Sequence, residues 1–229
     1  MLFLSDFFDL FYPKVCASCG KNLITEENVI CLECLYNIPK TNYYKEKENL
    51  VERLFWGRVE LEHAASYFHF TKGSIFQKLI HKLKYNGKKE IGVELGKLLG
   101  ETLRKSEFYD SVDIIVPVPL HPKRQRKRGY NQSKCIADGM SVIMNIPIDE
   151  SNLIRTKATE TQTKKSRIAR WENVDNIFQL KNPEKYENKH ILLVDDVVTT
   201  GATLEACAHG ILTAKNAKVS IAVLASAIG

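Results

Sequence analysis

The sequence of 229 residues contains no run of about 18 uninterrupted apolar residues, the minimum for a helix that crosses a membrane. Its apolar N-terminal stretch, MLFLSDFFDLFYP, also lacks the marks of a secretory signal peptide. No cationic segment precedes it, Asp6 and Asp9 interrupt it, and it ends in Tyr-Pro where a cleavage site has small residues. We therefore expect a short packed helix ended by Pro13, in a cytoplasmic protein that does not insert into a membrane.

Two common nucleotide-binding signatures are missing as well. The sequence contains neither the G-x-G-x-x-G pattern of dinucleotide-binding folds nor the G-x-x-x-x-G-K-[ST] pattern of P-loop enzymes. The net charge of +6 is only mildly basic, so composition alone does not predict a nucleic-acid binder. An apolar content of 44% and a charged content of 26% are typical of a globular protein with a buried core.

The six cysteines are unevenly distributed, because four of them lie within nineteen residues: Cys16, Cys19, Cys31 and Cys34. Two Cys-x-x-Cys pairs at this spacing can complete a tetrahedral shell of four thiolates, which suits a structural Zn²⁺ ion. A redox pair and an iron–sulfur cluster are the alternatives, but a redox pair usually occurs once and beside a βαβ unit. The isolated Cys135 and Cys207 are predicted to be small core residues.

The cysteine cluster and the sequence that follows it predict two domains. We expect a small N-terminal domain over residues 1–45, made of a helix and a four-cysteine zinc finger, and a larger domain over residues 46–229. A polar linker is expected between about Thr41 and Leu54. In the larger domain, helical and extended patterns alternate, which predicts an α/β fold with a parallel sheet covered on both faces. The predicted elements are a helix that begins at Ser74, helices at 91–104, 132–144 and 202–214, and buried strands at 112–120, 190–196 and 218–227.

The stretch ILLVDDVVTTGAT, residues 191–203, joins a predicted strand to a predicted helix. Ligands of parallel sheets bind at such strand ends, and the N–H groups of this loop could hold a phosphate. Asp195 and Asp196 would repel a phosphate but could accept hydrogen bonds from two neighbouring hydroxyls. The combination indicates a ribose 5-phosphate, while the alternative is an acidic strand end followed by a threonine-capped helix.

This stretch resembles the motif by which type I phosphoribosyltransferases bind 5-phosphoribosyl 1-pyrophosphate (PRPP). The resemblance implies a type I phosphoribosyltransferase fold in which Asp195 and Asp196 are catalytic residues that hold the ribose hydroxyls. It assigns PRPP binding also to the loop residues Val198, Thr199, Thr200, Gly201, Ala202 and Thr203. It further implies that the loop after the strand at 112–120 faces the pyrophosphate, through Val118, Pro119, Leu120 and His121, with Mg²⁺ held largely by oxygens of PRPP.

Four segments in this order resemble the competence protein F family: the cysteine cluster, KLKYNGKKE, VPVPLHPKRQRKRGYNQS and LIRTKATETQTKKSRIARWENV. Members of that family are phosphoribosyltransferase-like proteins associated with DNA uptake in natural transformation. The resemblance covers almost the whole chain. It implies PRPP and single-stranded DNA as ligands, and proteins of DNA uptake or recombination as partners.

The segment KRQRKR, residues 123–128, carries five cations in six residues, more than one pyrophosphate needs. Cations interleaved with aromatic rings favour a surface for single-stranded nucleic acid, although a charge run is also typical of a solvated face. The predicted DNA-binding residues are Lys84, Lys123, Arg124, Arg126, Lys127, Arg128 and Tyr130. Further cations and rings of the same kind are Lys82, Lys88, Lys89, Lys164, Lys165, Arg167 and Arg170, with Tyr85 and Trp171.

We expect from these features a PRPP-binding protein that handles single-stranded DNA during uptake. The first alternative is a catalytically active phosphoribosyltransferase of nucleotide salvage or biosynthesis. The sequence shows a site for the phosphoribosyl donor and no recognisable pocket for an acceptor. The second alternative is a non-catalytic regulator in which the N-terminal region docks to a protein partner.

Overall fold

The computed structural model describes residues 13–71, 73–156 and 177–228. The predicted N-terminal helix lies outside these residues, as do the basic residues 164–170 and Trp171. The strands are β1 (His63–His69), β2 (Ile114–Pro117), β3 (Leu153–Arg155), β4 (Phe178–Leu180), β5 (His190–Val198) and β6 (Lys218–Ser226). The helices are α1 (Leu32–Tyr36), α2 (Leu50–Arg53), α3 (Ile75–Tyr85), α4 (Lys89–Leu103), α5 (Pro122–Arg128), α6 (Gln132–Met144) and α7 (Ala202–Leu212), with 3₁₀ turns at Glu107–Tyr109 and Pro183–Tyr186. None of the helices in these ranges has the length and apolar character to cross a membrane.

Four parallel strands form the main sheet in the order β1-β6-β5-β2. The predicted parallel sheet is therefore confirmed. β5 lies in its interior, and the side chains of Ile191, Leu192, Leu193 and Val194 are fully buried. A strand that is buried on both faces consists of continuous apolar residues, which explains the run at the start of β5. The carboxyl end of β5 is where this run gives way to two carboxylates.

Close packing of α4 against α6 fixes the position of the residues that lead into α6. A Cβ atom added at Gly96 would lie 2.1 Å from the carbonyl oxygen of Ile136, and one added at Gly139 would lie 2.0 Å from that of Val93. Only glycine lets the two backbones approach so closely. The first turn of α6 is thereby held beside the end of β5, where it contributes a side chain to the site.

The segment KRQRKR, for which the sequence analysis predicts no helix or strand, forms most of the short helix α5. Pro122 occupies the first turn, the His121 side chain accepts a hydrogen bond from the Lys123 N–H, and Gly129 ends the helix in the left-handed conformation at φ 76°. These start and stop signals outweigh the repulsion among the cations. The preceding strand is also shorter than predicted, because Pro119 cannot donate to the sheet.

The predicted linker is folded against the sheet. Thr41 donates its N–H to the Tyr67 carbonyl at 3.0 Å, and His69 donates to the Pro39 carbonyl at 2.9 Å, so this stretch pairs with β1. The Asn49 side chain then accepts hydrogen bonds from the first N–H groups of α2. The polar side chains of this segment therefore include one that caps α2, and its backbone pairs with β1. The domain boundary at residues 45 and 46 stays a prediction.

Candidate functional site

The acidic pair occupies the sixth and seventh of the nine residues of β5, where α6 and α3 supply its partners. Asp195 is partly exposed and accepts hydrogen bonds from the Ser133 hydroxyl and from the Asp196 N–H, both at 2.8 Å. Asp196 is 5% exposed, and its Oδ2 lies 2.9 Å from the Lys84 ammonium. Yet Oδ2 makes no hydrogen bond with any residue in the described ranges. This buried oxygen therefore has an ion pair with Lys84 but no well-aligned hydrogen bond, and it can still accept one from a ligand.

Electrostatics make the pair receptive to a donor or a cation. Burial, and then the neighbouring Asp196 charge, raise the pKa of the Asp195 carboxyl well above its usual range. The hydroxyl of Ser133, the N–H of Asp196 and the charge of Lys84 only partly offset that rise. The negative charge of these two adjacent carboxylates is thus only partly compensated, which is the condition in which hydroxyl donors or a metal ion bind favourably.

The threonine-rich loop follows directly. Gly201 adopts the left-handed conformation at φ 75° and forms the N-cap of α7, while Thr199 and Thr200 are exposed. A cavity of about 60 Å³ is lined by Asp195 and residues 197–204. The first turn of α7 leaves N–H groups without intrahelical acceptors, and threonine hydroxyls stand beside them. This arrangement suits a small anion next to the acidic pair.

Arg58 supports this loop from the outside, and nothing in the local sequence predicts it. Its guanidinium donates to the Thr200 carbonyl at 2.9 Å and to the Leu54 carbonyl at 3.0 Å, and it pairs with Glu205 of α7. A Cβ atom at Gly201 would lie 2.9 Å from side-chain carbons of Leu54 and Phe55. The segment 54–58 therefore fixes the conformation of a loop that lies more than a hundred residues away.

The predicted pyrophosphate loop is only partly available to an anion. Val118 donates its N–H to the Val194 carbonyl and accepts from the Asn131 side chain, each at 2.9 Å, so both of its backbone groups are used. Pro119 has no N–H. Leu120 and His121 are half-buried and lead into α5. Any backbone donation from this loop to an anion must come from these last two residues.

A basic pocket of about 430 Å³ lies beside α5. It is lined by Lys84, Tyr85, Gly87, Arg124, Lys127, Arg128 and Tyr130. Five of the seven predicted DNA-binding residues thus line one cavity, while Lys123 and Arg126 do not.

The two tyrosines of the basic pocket differ. The Tyr85 ring is 60% exposed, with the Arg128 guanidinium 5.1 Å from its centroid. Tyr130 is 8% exposed and donates its hydroxyl to the Leu83 carbonyl. A ring so buried offers little surface to a nucleic-acid base. Tyr85 is the exposed ring of the pocket, and its neighbours are the Arg128 guanidinium and the His81 ring, whose centroid lies 4.7 Å away.

The four clustered cysteines come together as the spacing predicts. The Sγ atoms of Cys16, Cys19, Cys31 and Cys34 all lie within 4.8 Å of one another, and those of Cys19 and Cys31 are 3.7 Å apart. Four thiolates around one Zn²⁺ are separated by about 3.8 Å, as follows from zinc–sulfur bonds of about 2.3 Å. Burial alone would raise the pKa of the Cys16 thiol, but backbone N–H groups, among them those of Cys31 and Ser18, lower it to about 6. This cluster could hold a metal ion.

One helix connects the cysteine cluster to the acidic pair. On α3, Lys82 donates to the Ala17 carbonyl within the first Cys-x-x-Cys at 2.7 Å, and Lys84 pairs with Asp196. The sequence pattern predicts Lys84 only as a DNA-binding residue. Its pairing with Asp196, like that of Ser133 with Asp195, joins segments far apart in the chain, so no local pattern could reveal either.

The chain is similar in sequence to several known proteins. Residues 133–228 match the sequence model of a phosphoribosyl transferase domain. Competence protein F of Haemophilus influenzae is 34% identical over 210 residues, which cover 85% of this chain and 89% of that protein. DNA utilization protein YhgH of Escherichia coli K12 is 37% identical over 146 residues, or 62% of this chain, which spans only 63% of that relative. A solved structure of glutamine PRPP amidotransferase from B. subtilis is similar at 19% identity and a TM-score of 0.44, over 62% of this chain and 30% of that one.

The support of the threonine-rich loop by Arg58 can be tested by hydrogen exchange. Replacement of Arg58 by Ala removes two charge-assisted hydrogen bonds to carbonyl oxygens, each of which contributes about 1.5–3 kcal/mol. We expect the amides of residues 199–203 to exchange at least about tenfold faster, as measured by mass spectrometry. The control is Arg104→Ala, which removes an exposed hydrogen bond to the Ile143 carbonyl on α6. Equal loop exchange in both variants would contradict the role of Arg58.

Proposed function

This chain belongs to the competence protein F family, and on that premise we propose that it binds PRPP and handles single-stranded DNA during DNA uptake. The observation that carries the first half is the acidic pair of β5 beside the threonine-rich loop. In this pair, Asp196 has a buried oxygen that no described residue supplies with a hydrogen bond. The names of the relatives, which refer to competence and DNA utilization, support the second half.

The residues around the acidic pair fit a ribose 5-phosphate in their chemistry. Vicinal hydroxyls donate to carboxylates, and hydrogen bonds to an ionised acceptor are about twice as strong as neutral ones. The 5-phosphate would lie in the loop 199–203, where Arg58 holds the Thr200 carbonyl outward. Ser133 orients Asp195 by donating to it, and so keeps the second carboxylate oxygen available.

The pyrophosphate of PRPP needs cations, and the basic pocket supplies them. Leu120 and His121 run into α5, whose Arg124, Lys127 and Arg128 line that pocket. Mg²⁺ bound with PRPP would offset part of the pyrophosphate charge. The chain's own cations would stabilise the remainder of this charge.

Single-stranded DNA fits the same region in chemistry. Four cationic side chains and the exposed ring of Tyr85 combine phosphate contacts with a face on which a base can stack. Tyr85 takes the stacking role in this proposal in place of the buried Tyr130. Lys123 and Arg126 are exposed and do not line the pocket.

The cysteine cluster is proposed to hold structural zinc. The sulfur spacing fits a tetrahedral shell, and N–H groups directed at Cys16 Sγ stabilise a thiolate there. The fold around the cluster is short of other support, because Val15, Ile24, Leu32 and Tyr36 are exposed apolar residues. A bound metal would therefore contribute much of the folding free energy of this region.

The proposal that the acidic pair binds PRPP predicts a loss of PRPP affinity when Asp196 loses its charge. Asp196→Asn keeps the shape of the side chain but replaces one acceptor oxygen by a donor. We expect its affinity for PRPP with Mg²⁺, measured by titration calorimetry, to fall at least about tenfold. The control Asp138→Asn makes the same change in an exposed ion pair with Lys134 and should bind PRPP like the wild type. Equal affinity of Asp196→Asn and the wild type, with matched melting temperatures, would refute the assignment.

The proposal that the basic pocket binds single-stranded DNA predicts that the cations of this pocket determine how DNA affinity depends on salt concentration. A variant in which Arg124, Lys127 and Arg128 become Gln should bind a labelled oligodeoxynucleotide more weakly. Its slope of log affinity against log salt should flatten by about 0.7 for each phosphate that the protein no longer neutralises. The matched variant in which Lys123 and Arg126 become Gln should keep nearly the wild-type slope. An unchanged slope in the first variant would count against this surface.

The zinc assignment predicts one zinc per chain, measured by elemental analysis. Cys16→Ser combined with Cys19→Ser removes two thiolates from the cluster and should release the metal, while Cys135→Ser in the helical core should retain it. The double variant should also melt at a lower temperature. Iron with visible absorption in the wild type would support the iron–sulfur alternative, and a metal-free wild type would contradict the site.

A further inference from the structure

Lys84 faces two sites at once. Its ammonium lies 2.9 Å from Asp196 Oδ2, and the same side chain lines the basic pocket with residues of α5. It is half-buried near the end of α3, so it reaches both sites without rotation of the helix. The basic pocket and the acidic pair therefore compete for one cation.

The basic pocket is built for an anion. Its lining in the described part of the chain includes four cations and no carboxylate. Its volume of about 430 Å³ is within the range of roughly 300–1,000 Å³ that is typical of small-molecule sites. An anion bound there would attract the Lys84 ammonium, for which Asp196 is the only carboxylate partner among the described residues.

Movement of Lys84 would change the acidic pair. The Lys84 charge is one of the influences that stabilise an ionised Asp195. Once Lys84 turns to an anion, the two carboxylates lose their nearest cation. Hydroxyl donors or Mg²⁺ would then stabilise their negative charge in its place. A ligand that carries both a ribose diol and a pyrophosphate supplies both replacements together.

We propose that the basic pocket is a shared anion site, occupied alternately by the pyrophosphate of PRPP and by a phosphate of single-stranded DNA. Lys84 moves from Asp196 to whichever anion is bound. This inference rests on the proposed function and adds to it that PRPP and DNA exclude each other. Ribose 5-phosphate, which lacks the pyrophosphate, leaves the pocket free and does not displace DNA.

The first experiment measures competition by fluorescence anisotropy of a labelled oligodeoxynucleotide at constant ionic strength and constant free Mg²⁺. PRPP and inorganic pyrophosphate at saturation should raise the apparent Kd for the oligonucleotide at least about tenfold, which corresponds to about 1.4 kcal/mol. Ribose 5-phosphate should raise it less than about twofold. Calorimetry with each small ligand alone establishes beforehand that it binds.

The second experiment tests the exchange of Lys84. Lys84→Met should weaken both pyrophosphate and oligonucleotide at least about threefold, because a cation is removed from the pocket. Ribose 5-phosphate has no group in the basic pocket, so its affinity should fall less than that of pyrophosphate. Lys78→Met, an exposed site on the same helix, should change none of the three affinities. A parallel loss of ribose 5-phosphate binding in Lys84→Met would identify a merely structural role and overturn the exchange.

The outcomes separate this inference from the function on which it rests. If PRPP and DNA both bind and neither affects the other, the shared site is wrong and the proposed function stands. If ribose 5-phosphate displaces DNA as effectively as PRPP does, the pyrophosphate is not the group that competes with DNA. The inference is then also wrong. If neither PRPP nor ribose 5-phosphate binds in calorimetry, the proposed function itself fails.

Discussion

Two adjacent carboxylates at the end of a buried strand are the constraint on which the rest of the site depends. Asp195 and Asp196 cannot both be ionised in a poorly solvated place without donors and a cation nearby. Ser133 of α6 supplies a donor, and Lys84 of α3 supplies the cation. Glycines at the α4–α6 contact let α6 approach α4 closely enough to bring Ser133 to the site. Asp196 Oδ2 still lacks a hydrogen bond from any described residue, and a ligand can donate one.

The same constraint connects regions that are remote in sequence. α3 carries Lys82, which contacts the first Cys-x-x-Cys, and Lys84, which contacts the acidic pair. The cysteine cluster is thus attached to the helix that controls the charge of the site. In the same way, Arg58 attaches the segment before β1 to the loop that follows β5. These long-range contacts hold the acidic pair and the threonine-rich loop in place.

Sequence patterns predicted those helices and strands whose signals, such as a capping residue or an apolar run, lie within the element itself. The helix at 132–144 has the predicted bounds, and Ser74 caps α3 by accepting from the Gln77 N–H. The continuous apolar run predicted β5, and the cysteine spacing predicted the cluster. Tertiary contacts determined the rest: Tyr130 is buried, Lys84 pairs with Asp196, and the short strands β3 and β4 pair with each other. Such contacts depend on which segments the fold brings together, and no local pattern contains that information.

The central claim is that a ribose phosphate binds where β5 meets α7. A crystal structure of the full chain with PRPP and Mg²⁺ soaked in tests it most directly. The account predicts density for the ribose hydroxyls within hydrogen-bond distance of Asp195 and Asp196, with the 5-phosphate in the loop 199–203 and Lys84 turned toward the pyrophosphate. Density for PRPP elsewhere on the molecule, with Lys84 still paired to Asp196, would contradict it.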